Sequence, residues 1–156
     1  VETVLTLTLV ALAAAAVAPS APVAGVWLTE EGDGWVEIRR CGDDLCGTII
    51  RLAEPKTEDG RTKTDIHNPD PVLHDRPIVG LEVLRIDATP DKKGVFREGR
   101  IYDPNNGKTY KCKMWLEDPD TLRIRGFIGV SILGRNVIWT RQAAPDPPEA
   151  ASESRQ

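Results

Sequence analysis

The stretch Gly99-Arg-Ile-Tyr-Asp-Pro-Asn-Asn-Gly-Lys-Thr-Tyr110, running on to Leu116, decides how this chain folds. It reads as strand, tight loop, strand. Asp103-Pro104 opens a turn, because proline pre-sets its own φ and an aspartate side chain caps the backbone two residues on. Asn106-Gly107 is expected to supply the positive φ that lets a hairpin reverse. Beyond the turn, Tyr110, Cys112, Met114 and Leu116 alternate with Lys111, Lys113 and Trp115. A period of two puts one apolar row on an inner face and the two lysines on a wet one. A lone hairpin is marginal in water, so this one needs neighbours to cover its apolar row.

The neighbours are legible as further strands. Gly25–Leu28, Gly34–Arg40, Gly47–Leu52, Gly80–Ile86, Gly94–Tyr102, Thr109–Leu116, Thr121–Phe127 and Asn136–Arg141 alternate or carry β-branched runs between Gly, Pro and Asp punctuation. No window of a dozen residues between them keeps a helical period. The chain is therefore all-β: a single antiparallel meander of about eight strands, enough to close into a barrel and leave no open edge. Gly25-Val26-Trp27 opens the domain and Trp139-Thr140-Arg141 closes it. In a closed meander these ends are neighbours, so Trp27 and Arg141 are expected to meet as a cation–π closure. Local packing at a sheet end is the alternative.

At 156 residues the chain holds one domain with flanking segments. Thr3 to Ala18 is almost wholly apolar and ends in Ala18-Pro19-Ser20-Ala21-Pro22, so residues 1–24 read as a signal peptide or leader, with no stable membrane span after cleavage. Ala18, Ser20 and Ala24 could each precede the cut. Residues 25–142 form the barrel domain, and the Pro/Ala-rich residues 143–156 read as a disordered tail. Between Gly25 and Gln142 there are 19 basic and 20 acidic residues, a balance that gives no reason to expect nucleic acid.

Cys41 and Cys46 bracket Gly-Asp-Asp-Leu, a spacing suited to a four-residue loop with the two cysteines facing each other across it. In an exported protein this favours a disulfide over a zinc half-site, which lacks a second Cys/His pair. Cys112 is left as a small buried hydrophobe. Ala53 to Pro77, rich in Pro, Asp and Gly, interrupts the meander. It holds His67 and His74 beside Asp65, Asp70 and Asp75, which read as solvated loop residues. Asp103-Pro-Asn-Asn-Gly resembles a calcium loop but has glycine at the fifth place and Met114 at the twelfth. No metal site, cofactor fingerprint or nucleophile motif is present.

The run Gly25-x-Trp27, Cys41-Gly-x-x-Leu-Cys46-Gly47, Asp65-x-x-Asn68-Pro69, Arg76-Pro77-Ile78-x-Gly80, Gly99-x-Ile-Tyr-Asp-Pro104, Gly107-Lys108-x-Tyr110, Arg125-Gly126 and Trp139-Thr140-Arg141 resembles a family of small exported bacterial proteins. This is the family filed as domain of unknown function 2147. The resemblance implies a lipocalin-like barrel, periplasmic or secreted, and no catalytic residues.

Three functions fit such a chain. The first is a non-enzymatic envelope or secreted protein holding a small apolar or amphipathic ligand inside the barrel. Tyr110, Cys112, Met114, Leu122, Ile124, Val137 and Trp139 would point inward, and Tyr102 or Tyr110 would offer a polar handle. Tyr102, Tyr110, Met114, Ile124 and Trp139 are its expected ligand-binding residues. The second is a barrel packed shut, serving as a structural or interaction module. The third is an enzyme with Asp65, His67, Asn68 and Asp103 converging at the mouth. Interior volume separates the first two: about 300 Å³ or more favours a ligand.

Overall fold

The computed structural model describes residues 22–143. The apolar N-terminal segment, save its last three residues, and the tail beyond residue 143 lie outside the described residues. Eight strands follow in order: β1 Gly25–Leu28, β2 Gly34–Cys41, β3 Asp44–Leu52, β4 Glu82–Asp87, β5 Phe96–Asp103, β6 Lys108–Asp118, β7 Thr121–Phe127 and β8 Arg135–Gln142. Each pairs antiparallel with the next, and β8 returns to β1, closing the barrel. Alternation drives the inward rows: in β2, Val36 and Ile38 are buried while Glu37 between them is not. Among the described residues no helix is long and apolar enough to cross a membrane.

Two turns differ from their sequence reading. The β2–β3 connection has two residues, Gly42 and Asp43, and not four, because Gly42 takes a φ of 69° at the first central position of a tight hairpin turn. Cys41 therefore faces Asp44, and Cys46 faces Arg39. The cysteines are diagonal neighbours on one face, with Cα atoms 5.9 Å apart, and they are disulfide-bonded. The ring is short, so changing both to serine is expected to cost only about 2 kcal/mol. A shift of the urea midpoint measures it, and an unchanged midpoint would show that the bridge adds nothing.

In the β5–β6 turn only Gly107 has positive φ, 72°; Asn106 does not. Asp103 pairs with Lys108 across a four-residue loop. Its carboxylate accepts from the Asn105 N–H at 2.9 Å, and its carbonyl accepts from the Gly107 N–H at 2.8 Å, so the turn forms ahead of the glycine. Glycine is required at 107 for a second reason. A Cβ there would lie 1.8 Å from the His67 carbonyl oxygen, because the β3–β4 connection is pressed against this hairpin.

The barrel has two unlike ends. The β2–β3, β4–β5 and β6–β7 connections share one end with Pro22–Ala24. There Leu45, Ile86, Cys112, Met114 and Leu122 fill the interior beneath the fully buried Val23 and Trp27. Gly99 makes that packing possible, since a Cβ would fall 2.7 Å from Ile86 Cδ1 and 2.8 Å from Cys112 Sγ. Burial pushes the Cys112 thiol up to about 12.

The seam between β1 and β8 is closed at this same end. Trp27 stands opposite Arg141, whose guanidinium carbon lies 4.3 Å from the indole centroid. The guanidinium donates to the carbonyls of Ala24 (2.9 Å), Pro22 (2.7 Å) and Pro119 (2.7 Å), and the Trp27 indole N–H donates to the Val23 carbonyl (2.9 Å). Pro22–Ala24 thus belong to the packed unit. The boundary that composition suggests after residue 24 falls inside it.

Candidate ligand cavity

At the other end the interior is open. The β1–β2, β3–β4, β5–β6 and β7–β8 connections surround a cavity of about 990 Å³. Its walls are branched aliphatics from successive strands: Val36, Ile49, Val83, Ile101, Ile124 and Val137, with Trp139 among them. Below them the packed half begins, so the barrel is filled at one end and hollow at the other.

Four of the residues singled out for ligand binding, Tyr102, Tyr110, Ile124 and Trp139, line this cavity, as does Val137. Met114 does not. It is fully buried in the packed half with Cys112 and Leu122. β6 enters at the open end and descends, so at about 3.3 Å per residue Met114 lies roughly 13 Å deeper than Tyr110, level with its ladder partner Ile124 at the floor of the cavity. Val36, Ile49, Val83 and Ile101 were missed as lining residues. The signal in β2 was the alternation Val36-Glu37-Ile38. In β3 it is broken by irregular pairing at Trp35/Val36 and again at Gly47/Thr48, which shifts which residues point inward.

The tyrosine hydroxyls are already engaged. The Tyr102 hydroxyl donates to Asp65 Oδ1 at 2.5 Å, and its oxygen accepts from the Asn68 side-chain amide at 3.2 Å. The Tyr110 oxygen accepts from the Asn106 amide at 3.1 Å. Asp65 is fully buried, not solvated, and organises the long β3–β4 connection. Its Oδ2 accepts from Arg76 Nε (2.9 Å) and Nη2 (2.7 Å) and from the Asn68 amide (2.8 Å). Burial alone would raise its pKa, but the hydrogen bonds from Tyr102, Arg76 and Asn68 outweigh that and hold it below the ordinary carboxylate value. The Tyr102 pKa is raised, by burial first and then by its bond to Asp65.

The constellation Asp65, His67, Asn68 and Asp103 does not assemble as a unit. Asp103 spends its carboxylate on Asn105 and Asn106 within its own turn, and no hydrogen bond joins His67 to a carboxylate among the described residues. His74 instead places Nε2 2.7 Å from the Asn68 carbonyl, tying the short 3₁₀ turn Pro71–Leu73 to the rim. Among the described residues no three His, Cys, Asp or Glu side chains are placed to hold a metal ion. The mouth itself is charged. Glu30, Glu31, Asp33, Glu54, Asp75 and Asp103 outnumber Arg61, Lys63 and Arg135 around it.

A closed eight-stranded meander, hollow at one end and sealed by Trp27 and Arg141 at the other, now stands beside a family match over residues 25–141, to the family described as "Uncharacterized protein conserved in bacteria (DUF2147)". The chain belongs to this family. Its DUF2147 region runs from the first residue of β1 to within one residue of the end of β8. The fold is also that of a solved protein, HP1028 from the human pathogen Helicobacter pylori, described as belonging to the lipocalin family. The TM-score is 0.66 at 20% identity, over 78% of this chain and 83% of that one. No curated protein matches the chain.

Proposed function

We propose that this DUF2147 protein is a non-enzymatic carrier that takes one small apolar or amphipathic molecule into the open half of its barrel. The observation that carries this reading is the cavity of about 990 Å³ walled by branched aliphatics. Its size lies at the upper end of what drug-sized ligands occupy, about 300–1,000 Å³. Apolar walls give affinity by removing apolar surface from water, at roughly 25 cal/mol per Å². Tyr102, Tyr110, Ile124 and Trp139 are its proposed contacts, with the tyrosine rings rather than their engaged hydroxyls facing the ligand. Met114 supports the floor from below. The use of all of Asp65's bonds in holding the rim supports a strut role over acid–base work.

The acidic rim adds a preference. A ligand whose polar end reaches the mouth is expected to be neutral or cationic, since a carboxylate or phosphate there would face a surplus of like charge. The protein works in the periplasm or outside the cell on this reading. Its support is the Cys41–Cys46 disulfide, which suits an oxidising compartment. A leader cut after Ala18 or Ser20 would keep Val23, which is fully buried in the closed end, whereas a cut after Ala24 would remove it.

Native mass spectrometry of protein purified from the envelope tests the reading directly through a co-purifying mass. In vitro, an alkylammonium and an alkanoate of equal chain length would be titrated by displacement of an apolar fluorophore. Ile101→Trp and Val137→Trp, which fill the cavity, are expected to weaken binding about tenfold, or about 1.4 kcal/mol. Saturable binding that ignores both variants, or no binding of either chain, would overturn the proposal.

A further inference from the structure

The two ends of the cavity are fixed by different chemistry. Its floor is where the packed half begins. Ile124 of β7 and Trp139 of β8 are the deepest lining residues on their strands. In the ladder each faces a fully buried residue of the packed half, Ile124 facing Met114 and Trp139 facing Leu122. The packing beneath has no slack. Gly99 already marks one close approach, and Gly47 marks a second: a Cβ there would lie 2.9 Å from Leu84 Cβ and 3.1 Å from Val36 Cγ1. An interior this dense is barely compressible, so a ligand entering from above stops at Ile124 and Trp139.

The mouth holds the other end of the ligand. Between rim and floor the walls are Val36, Ile49, Val83, Ile101 and Val137, none with a polar side chain. The tyrosine hydroxyls already bond Asp65, Asn68 and Asn106. A charged or hydroxylated head drawn below the rim would lose its water with nothing to replace it, a cost that keeps it at the mouth. Glu31, Asp75 and Asp103 line the cavity there, and among the described residues none of the three is in an ion pair. β8 spans the distance between the two ends, with Arg135 at the mouth and Trp139 at the floor. At about 3.3 Å per residue that is roughly 13 Å of strand. Barrel strands tilt by about 35–45° from the axis, so the well is about 10 Å deep. An extended hydrocarbon, zig-zagging through bonds of about 1.5 Å, advances about 1.3 Å per carbon, and about eight carbons reach from rim to floor.

We propose, resting on the carrier reading above, that the barrel measures chain length: it selects a single-chain amphiphile of about eight to ten carbons, its cationic or neutral head at the acidic mouth and its terminal methyl against Ile124 and Trp139. These two floor residues determine specificity. Each methylene added to a shorter chain passes from water into the apolar well and strengthens binding about fourfold. Once the methyl meets the floor, a further methylene stays in water at the mouth, and the gain stops.

Displacement of an apolar fluorophore from the full chain by alkylammonium ions, butyl to tetradecyl and each below its micelle-forming concentration, tests it. The dissociation constant is expected to fall about fourfold per carbon up to octyl or decyl and to level off or rise beyond. Ile124→Ala lowers the floor and is expected to move the break to chains longer by about two carbons. Because Ile124 is fully buried and its truncation could unfold the barrel, contact with the floor is also read in the parent. At equal occupancy the bromine of ω-bromooctylammonium is expected to quench tryptophan emission that ω-bromobutylammonium spares, since only the longer chain reaches Trp139. Trp139→Phe is expected to erase that difference. A fourfold gain continuing to tetradecyl, equal quenching by both bromides, or a break left in place by a folded Ile124→Ala would overturn the length selection while leaving the carrier standing. No saturable binding by any chain would overturn both.

Discussion

Arg141→Ala is expected to destabilise the barrel by about 3 kcal/mol, several times the effect of an ordinary surface substitution. The side chain gives up a charged donor to three carbonyls, those of Pro22, Ala24 and Pro119, together with its place over the Trp27 ring at 4.3 Å. Hydrogen bonds from a charged group contribute about 1.5–3 kcal/mol each and a cation–π contact about 0.5–2, but partly exposed carbonyls recover water, so the sum is not additive. Arg141→Lys keeps the charge yet cannot reach three carbonyls from one plane, and is expected to lose about 2 kcal/mol. The urea midpoint measures both. In a double-mutant cycle with Trp27→Leu, coupling of at least about 0.5 kcal/mol is expected, and strict additivity would show that ring and guanidinium do not interact.

Asp65 is the second site of large effect. Asp65→Ala would strand the Arg76 guanidinium and the Tyr102 and Asn68 donors, for a loss of about 3 kcal/mol. This is the lower end for a broken buried pair, because the Arg76 side chain keeps 38% exposure. Asp65→Asn retains an acceptor without the charge and is expected to lose about 2 kcal/mol at pH 7. The folded pKa of Asp65 is depressed, so its ionised form contributes stability above the unfolded value, about 3.9. That contribution is lost as pH falls through the folded value. The gap between parent and Asp65→Asn should therefore close below about pH 4, while Asp59, Asp91 and Asp118, also lowered, act equally in both proteins. A gap that persists at pH 2 would mean the charge contributes nothing. Limited proteolysis gives an independent reading, since the freed connection between β3 and β4 should be cut first.

The strands were legible because each carries its own alternation between strong breakers, and the eight observed strands overlap the eight read from sequence. The closed meander follows from their number and from the short turns joining most of them, the long connection between β3 and β4 being the exception. The disulfide was legible from spacing and compartment, but its register was not: whether Gly42-Asp43 or Gly42 to Leu45 forms the turn depends on a single φ. The hollow was only half legible. Tyr110, Cys112 and Met114 read alike along β6, and nothing local tells which depth is packed and which is open, since that depends on what Gly99 and Ile86 bring from other strands. The role of Asp65 was least visible, because its partner Tyr102 lies 37 residues away.

The buried Cys112 has a consequence for how the chain acquires its cross-link. Burial pushes its thiol up to about 12, so it is held in the protonated form and is a poor partner for disulfide exchange in the finished barrel. Mispairing is confined to the interval before the sheet closes around β6. Cys41 and Cys46 leave the ribosome or a translocation pore well before residue 112, and the tight turn between them brings them together without help from the rest of the chain. The order of synthesis thus selects the native pair, and closure of the barrel then locks that choice in.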